Sequence, residues 1–207
     1  NKDPASDEVL EKLVVSPVQA FEREGFEVNK ELEKFYTDFS DYDATGKGIT
    51  DLHQPDYSAY NRNMLVEAMK FSDTAVVFIS RKGSESYDIP LVQNKYNGKN
   101  ITDDTRTYLQ FTEEEEQMIE LVVDNFDKVI VVLNTGNPIE AGLLNDKGID
   151  AVLQVGFPGQ SGTLAIPRLL KGYKIIEKED GTQEKIAVTP SGRLADTYSY
   201  FTRKYNP

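Results

Sequence analysis

Two runs of unbroken apolar residues, Ala75-Val76-Val77-Phe78-Ile79 and Val129-Ile130-Val131-Val132-Leu133, constrain this chain more than anything else in it. A strand that alternates apolar and polar residues can leave one face in water, but a strand apolar at every position must be covered on both faces. Each run ends in polar loop residues: Ser80 to Asp88 after the first, and Asn134-Thr135-Gly136-Asn137-Pro138 after the second. Ala151 to Phe157 reads as a third strand, ending in Pro158-Gly159-Gln160-Ser161-Gly162. Helical patterns stand between and after the strands, at Thr112 onward, Ile139–Leu144 and Thr163–Leu170. Strand, loop and helix in alternation predict an α/β fold: a three-layer α/β/α sandwich around a mostly parallel sheet.

The helical signals are mostly local. Ser6 reads as a cap for a first helix, with Val9, Leu10, Leu13 and Val14 at helical spacing. Ser16-Pro17-Val18-Gln19 is a capping-box pattern with proline at the first helical position, and Gly25 closes that helix. Asn29 caps the next, whose apolar side is Leu32, Phe35, Tyr36 and Phe39. Asn61 to Phe71 predicts a helix with Leu65, Ala68 and Met69 inward. Thr112 and Glu115 form a second capping box, and Glu113 to Glu116 put negative charge at the positive end of the helix dipole. That acidic run therefore has a structural explanation and is not read as a site. Its helix buries Met118, Ile119, Leu121, Val122 and Val123. Asn94 to Tyr108 is polar and turn-rich. Lys174–Glu177 and Glu184–Val188 predict a hairpin closed around Asp180-Gly181.

Composition removes several chemistries. With no cysteine there is no disulfide, thiol nucleophile or thiolate metal site. One histidine, His53, makes a multi-histidine metal centre or a histidine-based triad hard to build, and it reads as an ordinary loop histidine. A formal charge of −12 argues against a nucleic-acid or anionic-membrane partner. No stretch approaches the roughly 18 apolar residues of a membrane span. The opening residues contain no signal-peptide apolar core, which by itself says little of the compartment; that stays unknown, with a soluble protein expected, either bacterial cytoplasmic or secreted. Asp41 to Gly46 resembles the first half of a calcium loop, but the twelfth position is Leu52, and an Asx-rich turn explains the segment as well. Gly156, Gly159 and Gly162 miss the dinucleotide spacing, and Ser161 misses the nucleophile elbow. Glu85, in the loop after the first strand, reads from composition alone as one of many solvated acids.

Four segments in order carry a resemblance. Val77 to Asp88 is similar to an "ISRxSGEGYDR" segment and Val131 to Glu140 to a "VVVLNxGxPVE" strand. Gly156 to Gly162 is similar to "xxPGQEGG", and Pro190-Ser191-Gly192-Arg193-Leu194 to "NPSGRLPxT". The chain thus resembles glycoside hydrolase family 3, the β-glucosidase type, over roughly Phe71 to Tyr198, and within it the α/β sandwich domain. The resemblance implies a retaining β-glycosidase acting on a β-linked glucoside or oligosaccharide, with no metal or organic cofactor. It implies that Glu85 is the general acid/base, and that the nucleophile is an aspartate on a separate (β/α)8 barrel. Such a pair of carboxyl groups works at about 5–5.5 Å. Arg81, Ser84, Tyr87 and Asp88 are the candidates for loop support or substrate contact. Arg81 suits pairing with a loop carboxylate or plain loop stabilisation equally well. Ser84 and Ser86 replace glycine-type positions, and Ile89 stands where the family pattern has arginine.

The expected organisation is one sandwich domain over 1–207: a helical and loop lead-in over 1–60, core α/β units over 61–170 and a hairpin insertion over 173–189. A barrel of about 250 residues does not fit in 207. The domain alone is therefore expected to be inactive. The alternative is a Rossmann-like, non-catalytic ligand-binding or interaction module.

Overall fold

The computed structural model describes residues 13–41, 52–81, 88–96, 100–146, 148–194 and 196–201. Ser6, Val9 and Leu10 of the first predicted helix lie outside them, as do residues 42–46 of the segment Asp41–Gly46 read as an Asx-rich turn. The chain forms two compact units, Asn1–Val28 with Pro158–Arg193, and Asn29–Phe157 with Leu194–Pro207.

In the first unit, α1 (Pro17–Arg23) starts at the predicted capping box. Ser16 accepts from the Gln19 N–H and Gln19 accepts from the Ser16 N–H. The helix buries Ala20 and ends before Gly25, whose φ of 83° suits glycine. A 3-10 turn (Gly162–Leu164) leads into α2 (Ala165–Lys171). Thr163 Oγ1 donates to the Val15 carbonyl at 2.6 Å, and Val15 N–H donates to Gln160. The predicted hairpin is present as β6 (Tyr173–Glu177) and β7 (Gln183–Ala187), with Gly181 at φ 78° in its turn.

Glu24 joins the two helices of this unit. It accepts from Arg168 Nε at 2.7 Å and Lys171 Nζ at 2.8 Å, and its side chain is only 11% exposed. Burial pushes its carboxyl up, but the hydrogen bonds and charges of Lys171 and Arg168 outweigh this and hold it below the usual range. A carboxyl depressed in the folded state stabilises above its unfolded pKa, about 4.3, and loses that contribution as pH falls through the folded value. Thermal melts at pH 6 and pH 3 should therefore differ less in Glu24→Gln than in wild type. An equal difference in both proteins would remove Glu24 from the acid sensitivity.

In the second unit, α3 (Lys30–Asp41) is capped by Asn29, whose Oδ1 accepts from the N–H groups of Glu31 and Leu32. α4 (Arg62–Phe71) is capped by Asn61 in the same way. Ala68 is buried as expected, but Met69 is 43% exposed and points out. His53 stacks on Phe39 at 4.1 Å, a packing role for the lone histidine.

The sheet has three parallel strands in the order β1 (Thr74–Arg81), β4 (Lys128–Thr135), β5 (Ala151–Gln154). The architecture is thus mixed α/β with a parallel sheet and small antiparallel hairpins. Helix α5 (Glu113–Asn125) lies against β1 and β4. It buries Val77, Ile79, Val129, Val131 and Leu133 with its own Met118 and Ile119. The opposite face is only partly covered: Val132 is buried, while Val76, Phe78 and Ile130 are half-buried. Apolar residues at every position thus predicted the strands, although the two faces are buried unequally.

Three boundaries differ from expectation. The third strand stops at Gln154, because Gly156 takes a φ of 62° and turns the chain. The helix expected at 139–144 is instead α6 (Gly142–Asp146), since Glu140 and Ala141 donate their N–H groups to Leu109 and Ser199 rather than into a helix. The polar stretch 94–108 contains an antiparallel pair, β2 (Gln93–Tyr96) and β3 (Asn100–Asp103). Asn97-Gly98 between them is a hairpin signal that its polar setting hides.

Candidate active site

The carboxyl edge of a parallel sheet is where α/β folds commonly place ligands. Here that edge is formed by Ser80-Arg81, Asn134-Thr135 and Gln154, with Ser80 in register with Asn134 and Arg81 with Thr135. Glu85, Ser84 and Tyr87 lie outside the described residues. Asp88, the first described residue after them, is exposed. Arg81, the last before them, is 1% exposed.

Parity explains that burial. Arg81 follows Val77 and Ile79 on the face covered by α5, so its side chain enters the core rather than the loop. A buried guanidinium needs every N–H matched, and this one has five partners. Nη1 and Nη2 each donate to one oxygen of Glu115 at 2.7 Å. Nη1 also donates to the Ser80 carbonyl, Nη2 to Gln110 and Nε to Tyr108. Burial opposes the charge on Arg81, but the Glu115 carboxylate beside it outweighs this and raises its pKa. The guanidinium therefore pairs with Glu115 and not with Asp88, which makes Arg81 an anchor at the foot of the loop.

Glu115 does two jobs. It closes the capping box of α5, accepting from the Thr112 N–H at 2.9 Å, and it neutralises Arg81. Its neighbours also find cations: Glu114 pairs with Lys95, and Glu116 takes both terminal nitrogens of Arg106 at 2.8 and 2.9 Å. Gln93, fully buried, donates to the carbonyls of Thr107, Gln110 and Phe111 and holds the segment that faces Arg81. Nothing in the sequence beyond the capping box points to Glu115, because its partner is 34 residues away.

The other strand ends are tied to one another. Gln154 Nε2 donates to the Thr135 carbonyl at 2.6 Å, and Thr135 Oγ1 donates to the Asn137 carbonyl at 2.9 Å. Asn134 Oδ1 is buried with no hydrogen-bond partner among the described residues. The Phe157 ring rests against Gly136, so that a Cβ at that position would overlap it. Among the described residues this edge presents a rigid rim without a carboxylate pair.

Comparison with known proteins gives a consistent picture. The family model "Glycosyl hydrolase family 3 C-terminal domain" matches residues 6–207. β-Glucosidase A of Butyrivibrio fibrisolvens is 31% identical over 153 residues, covering 68% of this chain and 16% of that protein. A β-glucosidase of Ruminococcus albus is 28% identical over 143 residues, covering 69% of this chain and 12% of that protein. Among solved structures, a β-glucosidase from Paenibacillus barengoltzii superposes with a TM-score of 0.61 at 26% identity, covering 77% of this chain and 17% of that one. β-Glucosidase 3B from Thermotoga neapolitana, in complex with glycerol, gives the same TM-score and identity over 77% of this chain and 21% of its own. The chain thus spans only 12–16% of the length of these two curated relatives.

Proposed function

We propose that this chain, which belongs to glycosyl hydrolase family 3 as its C-terminal domain, supplies the general acid/base of a retaining β-glucosidase-like enzyme. Its substrate class is a terminal β-linked glucoside or oligosaccharide. Glu85 protonates the glycosidic oxygen as the bond breaks, then deprotonates the water that releases the sugar. The nucleophilic carboxylate belongs to a (β/α)8 barrel of the same protein, so the domain alone is inactive. No metal or organic cofactor takes part in either step.

The observation that carries this reading is the anchor at Arg81. Glu85 follows it by four residues, a span that extended chain crosses in at most about 14 Å. The five matched N–H donors of Arg81 hold the start of that span against α5. A general acid must be placed to within a fraction of an ångström, and a rigid foot serves that need. Family membership and the match of Glu85 to the "GEG" position favour this reading over a non-catalytic Rossmann-like module.

The test uses the full-length protein carrying Glu85→Ala. Azide should restore turnover of an activated aryl β-glucoside and give the β-glycosyl azide, because the anion attacks the glycosyl-enzyme without needing a base. Failure of azide to rescue, with the β-glucosidase activity of wild type intact, would move the acid/base role to another residue.

A further inference from the structure

The hairpin of β6 and β7, in the first unit, has two outer edges, and two bonds at its ends fix which residues face them. Val188 N–H donates to the Gly172 carbonyl and Lys178 N–H to the Thr182 carbonyl. Hydrogen-bonded and non-bonded positions alternate along an antiparallel pair. The backbone groups of Tyr173, Ile175 and Glu177 therefore point away from β7, and those of Gln183, Lys185 and Ala187 away from β6. These outward groups have no backbone partner among the described residues. An open edge of this kind is a template for a further strand.

The two edges differ. Lys185 stands at the middle of the β7 edge, where its charge would oppose itself in a second copy. At the middle of the β6 edge stands Ile175, with 51% of its surface exposed. The charges around it are unmatched. Lys185 Nζ lies over the Tyr173 ring, 3.6 Å from its centroid, and has no ion pair among the described residues. Glu177, exposed at the far end of β6, has none among them either.

The β6 strand matches itself when a second β6 runs antiparallel to it about a two-fold axis between the two Ile175 residues. Outward groups then meet outward groups: Ile175 faces Ile175, and Tyr173 faces Glu177 of the other copy. The Lys185 ammonium that rests on Tyr173 comes beside that unpaired carboxylate. On the other face Lys174 lies across from Ile176 of the second copy, whose hairpin neighbour is Glu184. Lys174 and that Glu184 are two strand spacings apart, about 10 Å, which two long side chains can bridge.

We propose that the β6 edge is a self-association surface, at which a second copy of this chain joins the two hairpins into one antiparallel sheet. A two-stranded hairpin is marginal in water by itself, and added strands stabilise it. The contact is independent of the acid/base reading of Glu85.

The test follows the mass of the full-length protein by sedimentation equilibrium from about 1 to about 100 µM. Wild type should show a monomer–dimer equilibrium in this range. Ile175→Pro removes an outward N–H and leaves the hairpin's own ladder intact, since an open edge tolerates proline. It should raise the dimer dissociation constant at least about tenfold. Gln183→Pro, the same change on the other edge, should alter it less than about twofold. Lys185→Glu and Glu177→Lys should each weaken the dimer, and the two exchanges together should restore it. A wild type that remains monomeric throughout overturns the proposal. So does a dimer that survives Ile175→Pro, or one that Gln183→Pro weakens equally. If thermal melts show Ile175→Pro unfolded, the charge exchanges decide, and failure of the pair to restore association overturns the proposal.

Discussion

Arg81→Met is expected to lower folding stability by about 3–5 kcal/mol, read from urea or thermal unfolding of the domain. The loss comes mainly from what stays behind. The Glu115 carboxylate is 1% exposed, and without Arg81 it is a buried charge that, among the described residues, keeps only the Thr112 N–H. The carbonyls of Ser80, Tyr108 and Gln110 lose a donor at the same time. Glu115→Ala should cost a similar amount, because it strands the guanidinium and opens the capping box. The double variant Arg81→Met with Glu115→Leu should lose clearly less than the sum of Arg81→Met and Glu115→Ala, since neither charge then remains unpaired. Single-variant losses under about 1 kcal/mol, the range of an exposed pair, would refute the buried network. The same variants should slow the full-length enzyme by loosening the foot of the Glu85 loop.

Glu85→Ala in the full-length protein should reduce kcat/KM on methyl β-glucoside and cellobiose by about 10²–10⁴-fold, the usual span for a general acid. A dinitrophenyl β-glucoside, whose leaving group departs as a stable anion, should show little change in kcat/KM. Its kcat should fall, because release of the sugar still needs a base. The pH profile supplies a second reading with a definite sign. An acid must be protonated to act, so kcat/KM of wild type falls as pH rises through its pKa, and the variant should lack that high-pH limb. A loss independent of leaving group, or an unchanged limb, would assign Glu85 a structural role. Ser84 and Tyr87 are proposed as lesser contributors at the same loop, and Asp88 as its support.

Much of the framework was legible because its causes are local. Apolar runs needing burial at successive positions marked β1 and β4. Ser16 with Gln19, and Thr112 with Glu115, marked helix starts because a capping box satisfies its own N–H groups within four residues. Asp180-Gly181 marked a hairpin because its turn needs positive φ. Where local signal was weak, the reading slipped. Met69 shares the helical spacing of Ala68 and Leu65, yet it faces out, because spacing marks a face without saying how much of it a neighbour covers. The run Glu113–Glu116 was explained by helix charge, but three of its four acids also have cations brought in by folding.

By itself, then, the sequence determined the two apolar strands β1 and β4, the closing hairpin, the principal helix caps and the family motif that singles out Glu85, all properties of residues within a few positions of one another. Only the tertiary structure decided that Arg81 turns inward to Glu115, 34 residues away, and that Phe157 rests on Gly136. Both depend on which strand end stands beside which. Strand order and register bring distant residues together, and no local spacing encodes that meeting.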